Sequence, residues 1–277
     1  MGFVKKAVIA DRMAAYADPV FWSPQAFGTT ATWIAVIAYA LQIYCDFSGY
    51  TDMAIGCAHC LGYKLAPNFD MPYLSANPSE FWRRWHMSLS TWLRDYLFIP
   101  LGGSRGSGWR TCLNLMIVMT LGGLWHGASW TFVVWGALHG ALLVAHRGFR
   151  ALCGRLPLLD RMLRTPPGVT LRVTATFLAV CVGWVFFRST TFATATCVLR
   201  QLVVPHHGYG PLMSARPFWA LAAATLVCHG LGRSGVWKAL VVRLPAPVLG
   251  CGYAAAMALA LLLMPDGGNR VFIYFQF

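Results

Sequence analysis

The run Leu121-Gly122-Gly123-Leu124-Trp125-His126-Gly127-Ala128-Ser129-Trp130 sets one imidazole in an otherwise apolar stretch with little side-chain volume around it. An imidazole ionises near neutrality and exchanges protons with whatever reaches it. Holding such a group at membrane depth is costly, so His126 reads as a pathway or active-site residue. Its glycine and alanine neighbours leave room for a substrate. A second imidazole, His86, lies in the aromatic and basic segment Glu80–Leu97, and two carboxylates, Asp46 and Asp52, interrupt the apolar segment Tyr44–Gly56. Bare charges there would be expensive; hydroxyls, or arginine from the Glu80–Leu97 segment, would offset the desolvation. The two carboxylates either handle protons or belong to a polar network holding a broken helix.

Composition supports a membrane setting. The chain has 277 residues, is 57% hydrophobic and 11% charged, and has a mean hydropathy of +0.55; soluble domains carry roughly 25% charged residues. The net charge of +13 comes from Lys and Arg in short segments between apolar blocks. That distribution fits topology-setting loops and anionic lipid heads, and argues against nucleic acid. Apolar blocks fall at 31–47, 112–124, 128–146, 171–187, 218–232 and 247–264. Several are short of the roughly 20 residues a span needs, which predicts tilted, broken or re-entrant segments. Arg105 and Arg110 precede the 112–146 region, and Arg147, Arg150, Arg155, Arg161 and Arg164 follow it. Both flanks therefore belong on the cytoplasmic side, so the region enters and returns with His126 near its turn. The Pro- and Arg-rich stretch 153–170 reads as the main loop.

The start, Met1-Gly2-Phe3-Val4-Lys5-Lys6, has no signal-peptide pattern and looks like the interior of something longer. Most of the nine cysteines lie in apolar blocks as small hydrophobes. Cys57-Ala58-His59-Cys60 imitates a metal motif but has no second ligand pair, so no metal is expected.

The best-defined local element lies between Pro78 and Pro100. Asn77 reads as an N-cap, Pro78 as the first helical residue, and Glu80 as the group that reaches back to the cap. A helix then continues to Leu97. At about 100° per residue, Trp82, Trp85, Leu89, Leu93, Tyr96 and Leu97 share one face, with Arg83, Arg84, Thr91, Arg94 and Asp95 opposite, the pattern of an interfacial helix. His86 falls on the apolar side, either as a buried, hydrogen-bonded histidine or in a functional role. His139 and His146 sit in the next helical stretch. With His59, His206, His207 and His229 they read as structural or surface residues.

Four strings in order resemble the membrane-bound O-acyltransferase family: Tyr44–Gly56 (YCDFSGYTDMAIG), Glu80–Gly103 (EFWRRWHMSLSTWLRDYLFIPLGG), Leu121–Trp130 (LGGLWHGASW) and Phe272–Phe277 (FIYFQF). They look more like the alginate O-acetyltransferase branch than the D-alanyl transferases of teichoic acid. The resemblance implies an all-α multi-pass membrane protein, with tilted, short and re-entrant helices around a central channel plus an interfacial amphipathic helix, in a bacterial inner membrane. Family members are longer, with membrane helices preceding the segment that matches Val4–Asp11. Residues 1–277 therefore read as the C-terminal part of one membrane domain, either a truncated product or a chain that relies on another for the missing helices.

The implied reaction moves an acetyl or other acyl group from an activated donor to a hydroxyl of an exported polysaccharide such as alginate. The donor would be an acyl thioester, acetyl-CoA or a carrier-bound acyl, with no bound cofactor. His126 matches the family's essential histidine and is assigned as general base; with no serine or cysteine in a nucleophile motif, direct transfer is expected. His86 matches the second histidine and would orient the donor or polarise its carbonyl. Arg83 and Arg84 would attract an anionic donor or lipid heads. Trp125, Trp130 and Trp135 would line a channel or simply pack between helices. Downstream acetyltransferase proteins are alternative recipients of the acyl group. Rival readings are a non-catalytic assembly partner of a polysaccharide-acetylating complex, D-alanyl transfer to teichoic acid, and a transporter, which would show inverted repeats that are not seen.

Overall fold

A computed structural model describes residues 1–264. The Phe272–Phe277 string lies outside the described residues. In chain order the helices are α1 (Asp11–Trp22), α2 (Thr29–Cys60), α3 (Pro78–Arg84), α4 (Met87–Leu93), α5 (Gly108–Trp125), α6 (Trp130–Arg155), α7 (Pro157–Arg164), α8 (Pro166–Arg188), α9 (Phe192–Val203), α10 (Ala215–Ser234), α11 (Val236–Arg243) and α12 (Ala246–Leu262), with π-helical turns at Val4–Ala10 and Arg94–Phe98. Among the described residues, β-type pairing is confined to one bridge between Phe27 and Tyr209. The fold is all-α. Helices α2, α6 and α8 are long and apolar enough to cross a bilayer. The six apolar blocks fall on α2, α5, α6, α8, α10 and α12, as the sequence pattern predicts.

The chain divides into two compact units, one of residues 1–67 with 196–277 and one of Asn68–Ala195. In the first, α2 runs unbroken for 32 residues, about 48 Å, straight through the carboxylate-bearing segment expected to break. The Val4–Ala10 turn lies against it. Gly2 and Gly49 meet so closely that a Cβ on Gly49 would come within 2.7 Å of the Gly2 carbonyl. This contact brings Lys5 and Lys6 to the carboxylates of α2, so the charges are paired instead of bare.

The second unit is built on the α5–α6 hairpin, with α3 and α8 packed on α6. Gly123 and Gly136 form its crossing point: a Cβ on Gly136 would lie 3.1 Å from the Gly123 nitrogen. Small residues there let the two backbones approach, as in membrane helix pairs. The predicted 153–170 loop is mostly helical. Pro157 and Pro166 occupy first-turn positions of α7 and α8, where the missing N–H and fixed φ favour a helix start. Thr165 caps α8, its Oγ1 accepting from the Gly168 N–H at 3.3 Å.

Candidate active site

His126 ends α5. Its N–H donates to the Gly123 carbonyl at 3.0 Å, and the Gly127 N–H donates to Leu124 at 3.2 Å. The chain then turns at Gly127, whose φ is +158° and whose missing Cβ would lie 2.8 Å from Cε2 of Phe132. Only glycine meets both demands. Ser129 starts α6 by accepting from the Thr131 N–H at 3.3 Å. The turn predicted near His126 is thus a tight four-residue link, His126–Ser129.

The ring of His126 stands edge-on against Trp135 (centroids 5.2 Å), Phe187 (5.1 Å) and Trp125 (5.0 Å). The residue as a whole is half-buried, and an aromatic cradle fixes the orientation of its ring. The small neighbours in sequence are present, but Trp125 of α5 and aromatic groups from α6 and α8 form the cradle. Local spacing around His126 could not reveal Phe187, which comes from a helix 61 positions on.

His86 sits where the single helix predicted to run from Pro78 to Leu97 breaks in two. Trp85 is extended and His86 adopts the left-handed conformation, φ 44° and ψ 55°. For a residue other than glycine this costs about 1–3 kcal/mol and persists only where surrounding structure imposes it. Asn68 imposes it. The Asn68 carbonyl accepts from the Met87 N–H at 3.0 Å, and Asn68 Oδ1 accepts from Ser88 N–H (3.2 Å) and Ser88 Oγ (2.6 Å). A residue far back in the chain therefore does the N-cap's work for α4. Trp85, buried against Phe69, Phe81 and Trp184 at centroid distances of 5.0, 5.6 and 4.9 Å, anchors the break.

The break leaves His86 buried and edge-on to Trp125, with ring centroids 6.2 Å apart. Trp125 thus contacts both imidazoles, and His86 and His126 are close enough to interact electrostatically. The predicted apolar face holds at Trp82, Trp85 and Leu93, which are buried, but not at Tyr96, which is exposed and stacks on Trp92 at 5.4 Å.

The arginines beside His86 differ. Arg84 is held by Glu80 (3.1 Å) and Asp70 (3.0 Å). Arg83 is exposed and donates to Ser79 Oγ at 2.9 Å. Asn77 caps α3 as predicted, accepting from the Glu80 N–H at 2.8 Å, while the Glu80 carboxylate reaches the N–H of Ala76, one residue before the cap.

Asp46 and Asp52 belong to the other unit. Asp46 pairs with Lys6 at 2.7 Å, and Lys6 also holds Asp11 at 3.0 Å; Asp52 pairs with Lys5 at 2.9 Å. The cations that pair with them are lysines of the N-terminal π-helical turn, where the sequence suggested hydroxyls or arginine from the Glu80–Leu97 segment.

The three tryptophans expected along a channel also separate: Trp125 is 60% and Trp130 74% exposed, whereas Trp135 is 2% exposed. Only Trp135 forms an internal wall. His139, read as structural or surface, lies wholly inside, with Trp82 and Trp135 at 5.1 and 5.0 Å and Phe81 stacked at 6.1 Å. Neither ring nitrogen has a hydrogen-bond partner among the described residues. Gly183 makes room for it, since a Cβ there would lie 2.8 Å from Nε2.

Two neighbouring imidazoles, one half-buried and the other buried, can take a proton and donate to a polarised oxygen within one site. Residues 15–187 match the membrane-bound O-acyltransferase family. The probable alginate O-acetylase of Azotobacter vinelandii is 48% identical over 188 residues, 68% of this chain and 36% of that protein. The peptidoglycan O-acetyltransferase of Helicobacter pylori is 41% identical over 203 residues, 73% of this chain and 37% of that protein. The teichoic acid D-alanyltransferase of Bacillus subtilis is 32% identical over 166 residues, covering 56% and 40%. The chain spans about a third of the length of the first two relatives. With a family match over more than half of its residues, and with His86, His126 and the aromatic residues around them all inside the matched region, the chain belongs to the membrane-bound O-acyltransferase family.

Proposed function

We propose that this chain carries the acyl-transfer centre of a polysaccharide O-acetyltransferase in a bacterial inner membrane, crossing it several times. The observation that carries this reading is the pairing of His126 and His86 about Trp125, with His126 cradled and half-buried. His126 accepts the proton of a sugar hydroxyl as its oxygen attacks the carbonyl carbon of an acyl thioester. The C–S bond breaks, the thiolate leaves, and the imidazolium returns the proton to sulfur. His86 donates to the carbonyl oxygen as negative charge develops there. The aromatic cradle restricts water, which would otherwise compete with the sugar as nucleophile.

The two O-acetyl-transferring relatives favour acetyl over D-alanyl as the group moved, and an alginate-like or other glycan hydroxyl as acceptor. The donor is an acyl thioester such as acetyl-CoA or a carrier-bound acetyl, delivered from the cytoplasmic side. Proteins that pass the acetyl group onward to the polymer are the expected partners.

The test is His126→Ala and His126→Gln in a host whose exported polymer depends on this protein for acetylation. Loss of polymer acetyl groups with normal membrane abundance is expected. Unchanged acetylation at equal abundance would make the chain an assembly partner instead.

A further inference from the structure

We propose that Arg83, Arg150 and Arg172, gathered around His146, form a binding site for a phosphate-ester anion at the end of the α6–α8 pair remote from His126. This goes beyond the acyl-transfer reading, and only the assignment of the anion to a thioester donor rests on that reading.

The register of the two helices places these groups together. Phe132 and Trp135 of α6 meet Phe187 of α8, while His139 meets Trp184 and Gly183, so the helices run antiparallel. With equal rise on both sides, a pairing of 139 with 183 sets His146 opposite Thr176 and Arg150 opposite Arg172. The third arginine comes from α3, where Trp82, next to Arg83, packs on His139 and Trp135. In this arrangement the charges of Arg150, Arg172 and Arg83 all lie within electrostatic reach of His146.

Three guanidinium groups from three helices would repel one another unless something negative lies among them. None of the ion pairs formed among the described residues engages any of the three; the nearby carboxylates are taken, Glu80 by Arg84 and Asp160 by Arg164. Arg83 and Arg150 are exposed and Arg172 and His146 half-buried, so the group opens outward. Planar guanidinium forks match the paired oxygens of a phosphate, which makes a phosphate ester the anion that fits.

Along α6 the cluster lies about 16–22 Å from Trp135, the residue that touches His126. A phosphate there is too far to join the chemistry. It is either the headgroup of an anionic phospholipid or the phosphate end of a long-armed thioester donor.

The experiment uses the full chain purified in an uncharged maltoside, with thermal midpoint read against three probes: phosphatidylglycerol in mixed micelles, coenzyme A, and phosphatidylcholine as a zwitterionic control. Wild type should be stabilised by one of the two anionic probes and not by phosphatidylcholine. R150Q/R172Q should bind that probe at least tenfold more weakly, with an unliganded midpoint no lower than wild type because a repulsion has been removed. R161Q/R164Q, which lowers basic charge on α7, should bind within twofold of wild type. A response to phosphatidylglycerol assigns the site to lipid, and a response to coenzyme A assigns it to the donor. Equal affinity in wild type and R150Q/R172Q, no response to either anionic probe, or an equal loss in R161Q/R164Q would overturn the proposal.

Discussion

Gly127→Ala tests whether the turn, and not the identity of the histidine alone, makes the centre work. The new Cβ would lie 2.8 Å from Cε2 and 3.1 Å from Cδ2 of Phe132, against an ordinary carbon–carbon contact of about 3.5–4.0 Å. Some 0.7 Å or more, by that standard, must be absorbed by the Phe132 ring or by the turn. The ring has little freedom, being set edge-on to Phe187 at 5.0 Å and facing His126 at 6.3 Å. Overpacking of this kind costs about 1–3 kcal/mol, and a φ of +158° is one that residues with a Cβ rarely adopt. The turn relaxes by moving, and His126 is the residue it carries. A displacement approaching 1 Å is worth about 10²-fold in rate. The assay is acetyl transfer to a polysaccharide acceptor in membranes, normalised to chain abundance. Gly127→Ala should lower kcat about a hundredfold, and adding Phe132→Leu, which clears the clash but not the backbone strain, should restore part of it. Wild-type kcat in the single variant at normal abundance would refute the reasoning.

Other substitutions probe separate links. His86→Asn keeps a side chain tolerant of the left-handed conformation, so the thermal midpoint should stay within a few degrees of wild type while transfer falls at least tenfold; retained transfer would remove His86 from the chemistry. Asp46→Asn breaks a buried ion pair with Lys6, and because Lys6 keeps Asp11 the loss should sit near the low end of the usual range, about 3 kcal/mol. An unchanged midpoint for that variant would show the pair to be unimportant for stability. His139→Phe replaces a buried ring without hydrogen-bond partners among the described residues by an apolar one of similar shape. Removing unpartnered polar atoms offsets the slightly larger ring, so a midpoint within a few degrees of wild type is expected, and a large drop in His139→Phe and in the smaller His139→Leu alike would reveal a polar role for this imidazole.

What the sequence disclosed was whatever is written locally. The Asn77–Glu80 start of α3, the six apolar blocks and the turn at His126 follow from caps, hydropathy and flanking charge. What it hid was made by distant residues. The break at His86 has no proline or glycine to announce it, because Asn68 supplies the hydrogen bonds that a continuing helix would have made. The lysines that neutralise Asp46 and Asp52 stand some forty positions earlier, and the wall behind His126 includes α8. Pro157 and Pro166 misled in the other direction: prolines read as loop markers, yet each begins a helix. His139 looked unremarkable because a lone histidine on a helix carries no local sign of an aromatic enclosure.

The backbone conformation of His86 is conditional. The hydrogen bonds that interrupt α3 and α4 come from a single asparagine on a short extended stretch, so that stretch works as a latch on the second imidazole. Were the latch to lift, Met87 and Ser88 would be free to seek partners one turn back, the two short helices could fuse, and His86 would swing off Trp125 with them. Through Met87 and Ser88, Asn68 thus keeps His86 beside Trp125 and the centre supplied with two imidazoles.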